Sequence, residues 1–123
     1  MSRRIFMDAF FNQFADFLDQ LIQVFPEDLD FPAYKTGLRL LQKTNPMIVI
    51  QEVVTHVTPF EKLVRAKDES FLLDYKFSEY DTLEQIINKL KNMWTTLSGN
   101  NKQVIWNYII LLLDLSQKCL ASQ

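Results

Sequence analysis

Residues 94–115 read WTTLSGNNKQVIWNYIILLLDL, and this stretch decides the architecture. One amphipathic helix ends in it at Ser98-Gly99, with glycine in its usual place after a helix C-terminus. Asn100 or Asn101 then caps a new helix that runs to about Leu120. On a wheel started at Val104, the polar residues Gln103, Asn107, Asp114, Gln117 and Lys118 fall within about 100°. Trp106, Tyr108, Ile109, Ile110, Leu112 and Leu113 take the remainder. A helix apolar on so many sides needs other helices around it. The spacing predicts an all-α fold, a compact bundle or orthogonal array of five to six helices around the C-terminal one.

Composition agrees with that reading. The chain has 123 residues, 48 % of them hydrophobic, with ten Phe and two Trp. That suits one helical domain over residues 1–123, large enough to bury a core without a metal or disulfide staple. Two Gly and four Pro are few for a sandwich or barrel. The lone Cys119 rules out an internal disulfide and fits a reducing compartment. Thirteen basic against fifteen acidic residues leave a net charge of −2, without the strong positive excess of a general nucleic-acid binder. Arg3-Arg4-Ile5-Phe6-Met7 opens like a signal peptide, but Asp8, Asn12 and Asp16 break the apolar run. The run Val104 to Leu113 covers about half a bilayer, so no transmembrane segment is expected.

Working backwards, Asp81 and Glu84 form a reciprocal helix start. Leu83, Ile86, Ile87, Leu90, Met93, Trp94 and Leu97 then follow helical spacing. Thr58-Pro59-Phe60-Glu61 reads as a capping box opening a short helix to about Ala66. Ser70 to Tyr75 reads as one helical turn or an extended connector. Asn45-Pro46 starts a helix to about Val57 with Met47, Ile50, Val53, Val54 and Val57 inward. Its β-branched residues also suit a strand, but the Asn-Pro start favours helix. Asp30 and Pro32 open a helix to Lys43 with Tyr34, Leu38 and Leu41 inward, and Gly37 suggests close approach of another helix. Residues 5–25 give the clearest amphipathic pattern: Phe6, Phe10, Phe14, Phe17 and Leu21 share one side, within an apolar arc of about 160°.

Catalytic and metal-binding signatures are absent from the pattern. His56 is the single histidine and reads as an exposed or boundary residue. Cys119, in the last turns of an apolar helix, reads as a buried inert thiol. Neither a Cys pair, a second His nor a calcium loop occurs. Glu27-Asp28-Leu29-Asp30 would hold a cation weakly, but a solvated connector is the simpler reading. With Gly37 and Gly99 as the two glycines, no phosphate loop forms. Asp68, Glu69, Asp74, Glu79 and Asp81 are spare carboxylates, and nothing in the spacing pairs any two. The expectation is a non-enzyme without cofactor or metal.

Two surfaces remain as candidates. Trp106, Ile110 and Leu113 on the last helix would meet either the chain's own helices or a protein partner, including a second copy. Lys35, Arg39 and Lys43 recur at every fourth residue and line one helix face over about 12 Å, the arrangement a nucleic-acid backbone would use.

A series of phrases carries a resemblance. Phe25-Pro26-Glu27-Asp28-Leu29-Asp30-Phe31, Tyr34-Lys35-Thr36-Gly37-Leu38, Lys43-Thr44-Asn45-Pro46, Val57-Thr58-Pro59-Phe60-Glu61, Lys67-Asp68-Glu69-Ser70-Phe71, Lys89-Leu90-Lys91-Asn92-Met93-Trp94 and Leu97-Ser98-Gly99-Asn100-Asn101-Lys102 with Ile105-Trp106-Asn107-Tyr108 follow in order. Together they resemble small helical proteins encoded by large DNA viruses of algae and protists. The resemblance implies a viral interaction or structural protein, made in the cytoplasm or nucleus of an infected cell, self-associating or packaged in the virion. Most of these phrases are helix caps and corners. Lys67-Asp68-Glu69 is a charged corner beyond capping needs, so Lys67 and Glu69 join the partner-binding candidates.

Overall fold

The structure is a computed structural model that describes residues 2–78 and 81–122. Its helices follow in the order α1 (Arg3–Val24), α2 (Asp30–Thr44), α3 (Pro46–Val57), α4 (Glu61–Arg65), α5 (Ser70–Leu73), α6 (Thr82–Met93) and α7 (Gly99–Ala121). Single 3-10 turns occupy Thr58–Phe60 and Trp94–Thr96. No strand occurs among the described residues, so the β-branched run of α3 is helical. Helix α7 lies along α1 and also packs on α3 and α4. Helix α2 rests on α1, and α3 bridges α2 and α6. The C-terminal helix is therefore central, as its wide apolar surface demands. Its 23 residues and mean hydropathy of 1.3 would also suffice to cross a bilayer. In this fold 39 % of that apolar stretch is buried, and the helix packs on α1, α3 and α4.

Aromatic rings hold the layers together. Phe17 of α1 stacks on Tyr108 of α7 with centroids 5.1 Å apart. Trp106 meets Trp94 edge-on at 5.5 Å and Phe71 at 6.4 Å. Phe10, Phe11 and Phe14 interlock by edge contacts along α1. Edge-to-face pairs of this kind contribute about 0.5–1.5 kcal/mol each beyond the area they bury. In α3 the buried set is Val49, Ile50, Val53 and Val57, so Val49 takes an inward place expected for Met47 or Val54.

Several corners differ from their sequence reading. The Ser98 side chain caps α7 by accepting from the Asn101 N–H at 3.1 Å, and Gly99 is the helix's first residue. Neither Asn100 nor Asn101 is the cap, because the helix already begins at Gly99 and the Ser98 oxygen reaches its third amide. The Thr58–Glu61 box does not form. Thr58 continues α3 into the 3-10 turn in helical conformation, and its hydroxyl is buried without a partner. Glu61 turns instead to Arg65 and Gln117. Asp81 does cap α6, accepting from Glu84 N–H at 2.8 Å, but the Glu84 carboxylate does not reach back. Asp30 sits inside α2, and its N–H donates to Asp28 Oδ1 at 3.0 Å.

Gly37 was expected to permit close helix approach, yet a Cβ built there meets nothing within 4 Å. Gly37→Ala is therefore expected to stabilise the fold by about 0.5–1 kcal/mol, by reducing the freedom of the unfolded chain. Urea denaturation measures this directly, and a destabilised variant would show that α2 needs the glycine.

Candidate functional site

The partner-binding residues expected on α7 are mostly interior. Trp106 is 2 % exposed and Leu113 is fully covered, both by the chain's own helices. Neither offers a surface to another molecule: Trp106 packs on Trp94 of the turn after α6 and on Phe71 of α5, and α7 as a whole is flanked by α1, α3 and α4. Ile110 is partly exposed and packs on the same core.

The charged corner also has internal duties. Lys67 adopts φ 54°, the left-handed conformation that closes a helix end, with Asp68 N–H donating to Leu63 O at 2.9 Å. Lys67 Nζ donates to Gln103 Oε1 at 2.7 Å, and Glu69 pairs with Lys102 at 3.5 Å. Asp68 Oδ1 accepts from Ser70 N–H at 3.0 Å. The surplus of charge at this corner fastens α4 and α5 to α7.

On α2, Lys35 is tied to Asp19 at 2.8 Å, and Arg39 donates to Gln42 at 2.7 Å. Lys43 is exposed. A row of three free cations thus becomes a face already engaged at two of its three positions. The acidic connector has a partner too: Asp28 and Asp30 clasp Lys89 of α6 at 2.8 and 2.6 Å. The bond to Lys89 holds the Asp28 carboxyl below the usual carboxylate range. That lysine takes the place of the weakly bound cation the connector suggested.

Cys119 is buried, and burial pushes its thiol above the ordinary value. Of the spare carboxylates, Glu79 lies outside the described residues.

What sequence reading missed is a polar cluster where α3 crosses the start of α6. His56 Nε2 lies 2.8 Å from Asp81 Oδ2 and 3.7 Å from Glu84 Oε1. One donor atom from each of the three lies within 4.8 Å of the others. Each carboxylate has one oxygen fastened by the fold and the other turned to the imidazole. Asp81 Oδ1 takes the Glu84 N–H, and Glu84 Oε2 accepts from the Ser78 hydroxyl. Glu84 is 6 % exposed. Glu52, one turn before His56, adds a third carboxylate whose Oε2 is enclosed without a hydrogen-bond partner. Burial first, and then the charge of Asp81, push its carboxyl up to about 7. The spacing Glu52-x-x-x-His56 put an acid and an imidazole on one helix face, and that was the one available signal.

An apolar cavity of about 30 Å³ lies nearby, lined by Val53, Val57, Leu83 and Ile86 among others, with no carboxylate in its wall. The converging acids thus have no adjoining substrate-sized pocket in that direction.

A second feature is the outer seam between α1 and α7. Gln13, Gln20 and Val24 of α1 line its two shallow depressions together with Asn101, Val104, Asn107, Tyr108 and Leu111 from α7. Val24 and Leu111 are each 36 % exposed. None of these residues is charged. The α7 charges nearest in sequence point elsewhere, Lys102 to Glu69 and Asp114 to Arg65 at 2.6 Å, while burial and then the charges of Asp16 and Asp19 on α1 push the Tyr108 hydroxyl above its ordinary value.

No family, curated protein or solved structure matches the chain in sequence or fold.

Proposed function

We propose that this chain is a non-catalytic helical interaction module that self-associates through the outer α1–α7 seam. The observation that carries the reading is the strip formed by the uncharged Gln13, Gln20, Val24, Val104, Asn107 and Leu111, bordered by Asp16 and Asp19 beside Tyr108. In a two-fold interface each residue near the axis faces its own copy. A charged side chain there meets like charge, whereas Gln and Asn amides donate and accept at once, and Val and Leu bury against themselves. This strip is self-complementary in that sense, and the chain's net charge of −2 opposes pairing only weakly. The resemblance to proteins of large DNA viruses would set such an assembly in an infected cell or a virion.

Sedimentation velocity across the micromolar range is the test. The wild-type chain is expected to pass from monomer to dimer as concentration rises. Leu111→Asp, a change at an exposed position, is expected to remain monomeric with an unchanged melting temperature. A wild-type protein that stays monomeric throughout, or a dimer indifferent to Leu111→Asp, would remove the seam from this reading.

A further inference from the structure

We propose that His56, Asp81 and Glu84 form a binding site for a divalent transition cation of the zinc class. The site lies at the α3–α6 crossing, away from the α1–α7 seam, so it stands or falls independently of self-association.

Geometry is the first argument. Zinc held tetrahedrally at about 2.0–2.2 Å by nitrogen and carboxylate oxygen sets its ligands about 3.3–3.6 Å from one another. Nε2 to Asp81 Oδ2 is 2.8 Å and Nε2 to Glu84 Oε1 is 3.7 Å, on either side of that range. Small side-chain rotations bring both to it. The outer contacts resemble those that orient metal ligands elsewhere: a backbone N–H on the second oxygen of Asp81 and the Ser78 hydroxyl on the second oxygen of Glu84.

Charge is the second. His56 is the single group of this cluster able to carry a positive charge, and it faces Asp81 and Glu84, with Glu52 close enough to feel the charge of all three. The charges acting on Glu52 come from those same residues, with no Lys or Arg among them. One imidazolium balances at most one of the Asp81 and Glu84 carboxylates. The excess sits where Glu84 has 8 % of its side chain exposed and Glu52 Oε2 is enclosed and unpaired. Buried negative charge in that amount carries a large desolvation cost. A dication at the three ligands offsets it.

The donor set also selects the ion. An imidazole nitrogen suits zinc and its neighbours, while calcium asks for six to eight oxygens and magnesium for a near-regular octahedron of them. Zinc should therefore bind more tightly than manganese, and both more tightly than calcium or magnesium.

His56 is the only histidine, so in an untagged, chelator-treated protein its ring nitrogens give an unambiguous 15N signal. Titration with zinc chloride is expected to shift the Nε2 resonance saturably at one equivalent, with calcium or magnesium chloride leaving it in place. Calorimetry of folded His56→Gln should show zinc affinity reduced at least about tenfold, and Glu84→Gln a comparable loss. No saturable Nε2 shift on the wild-type chain would overturn the site whatever the variants do. Zinc affinity unchanged in His56→Gln would do the same.

Discussion

Trp106→Ala is expected to cost about 3–5 kcal/mol of folding stability, enough to leave a domain of ordinary stability marginal or unfolded at 25 °C. The ring is 2 % exposed and fills the space between Trp94 and Phe71. Removing it takes away the transfer energy of a large apolar group, two aromatic contacts and the packing of three elements. Around it the backbone is helical and stiff, so collapse into the void is limited. Leu113→Ala, at a fully covered position, is expected to cost about 2–5 kcal/mol by the same argument. Guanidinium denaturation followed by circular dichroism at several protein concentrations measures both. If Trp106 instead contacted a partner chain, the monomer would melt as the wild type does and only association would suffer. Loss of stability that does not depend on concentration therefore assigns Trp106 to the core.

That outcome bears on how much of the molecule was legible from residues alone. The helices were, because each buries one face and the apolar residues recur at the helical period: Phe10, Phe14, Phe17 and Leu21 on α1, Ile86, Ile87 and Leu90 on α6. The central place of α7 followed from how little of its circumference is polar. Periodicity cannot say which apolar residue touches which helix, so it leaves Trp106 and Leu113 open to a partner, whereas the fold covers both within the chain. Corners were read less well. A Thr with Glu three residues on matches a capping box, but Thr58 follows directly on α3 and the helix runs through it. Local sequence offers the cap; the neighbouring helix decides whether the backbone is free to use it.

The polar cluster was the hardest part to see. Asp81 and Glu84 announced themselves as a helix start, and that duty seemed to account for both. His56 stood alone on another helix, 25 residues before Asp81. Nothing in the spacing of one helix reports the crossing of two. Once α3 and α6 cross, the cap explains only Asp81 Oδ1 and the Glu84 amide, leaving two carboxylates on one imidazole with the Glu52 carboxyl near enough to feel their charge. This is a costly arrangement at the edge of an otherwise apolar interior, and its cost should be measurable.

Glu52→Gln is expected to raise stability above pH 7 by about 1–2 kcal/mol in chelator-treated protein, after allowance for solvent screening of a partly exposed carboxylate. The Glu52 carboxyl rises from its ordinary 4.5 to about 7, first through burial and then through the charge of Asp81; the Leu83 amide and His56 pull it down, and Glu84 adds to the rise. Between those two values the folded chain holds a proton that the unfolded chain has released. Stability from this group is therefore complete below about pH 4.5 and is lost as pH climbs through about 7. Gln keeps the shape of the neutral acid and removes the charge. The two proteins should agree at the acid end and part towards pH 8, with the variant the more stable. Urea unfolding at half-unit intervals from pH 4 to 8.5 gives both curves. Parallel curves would mean that Glu52 ionises in the fold without penalty, and that the neighbouring carboxylates are better solvated than their burial implies.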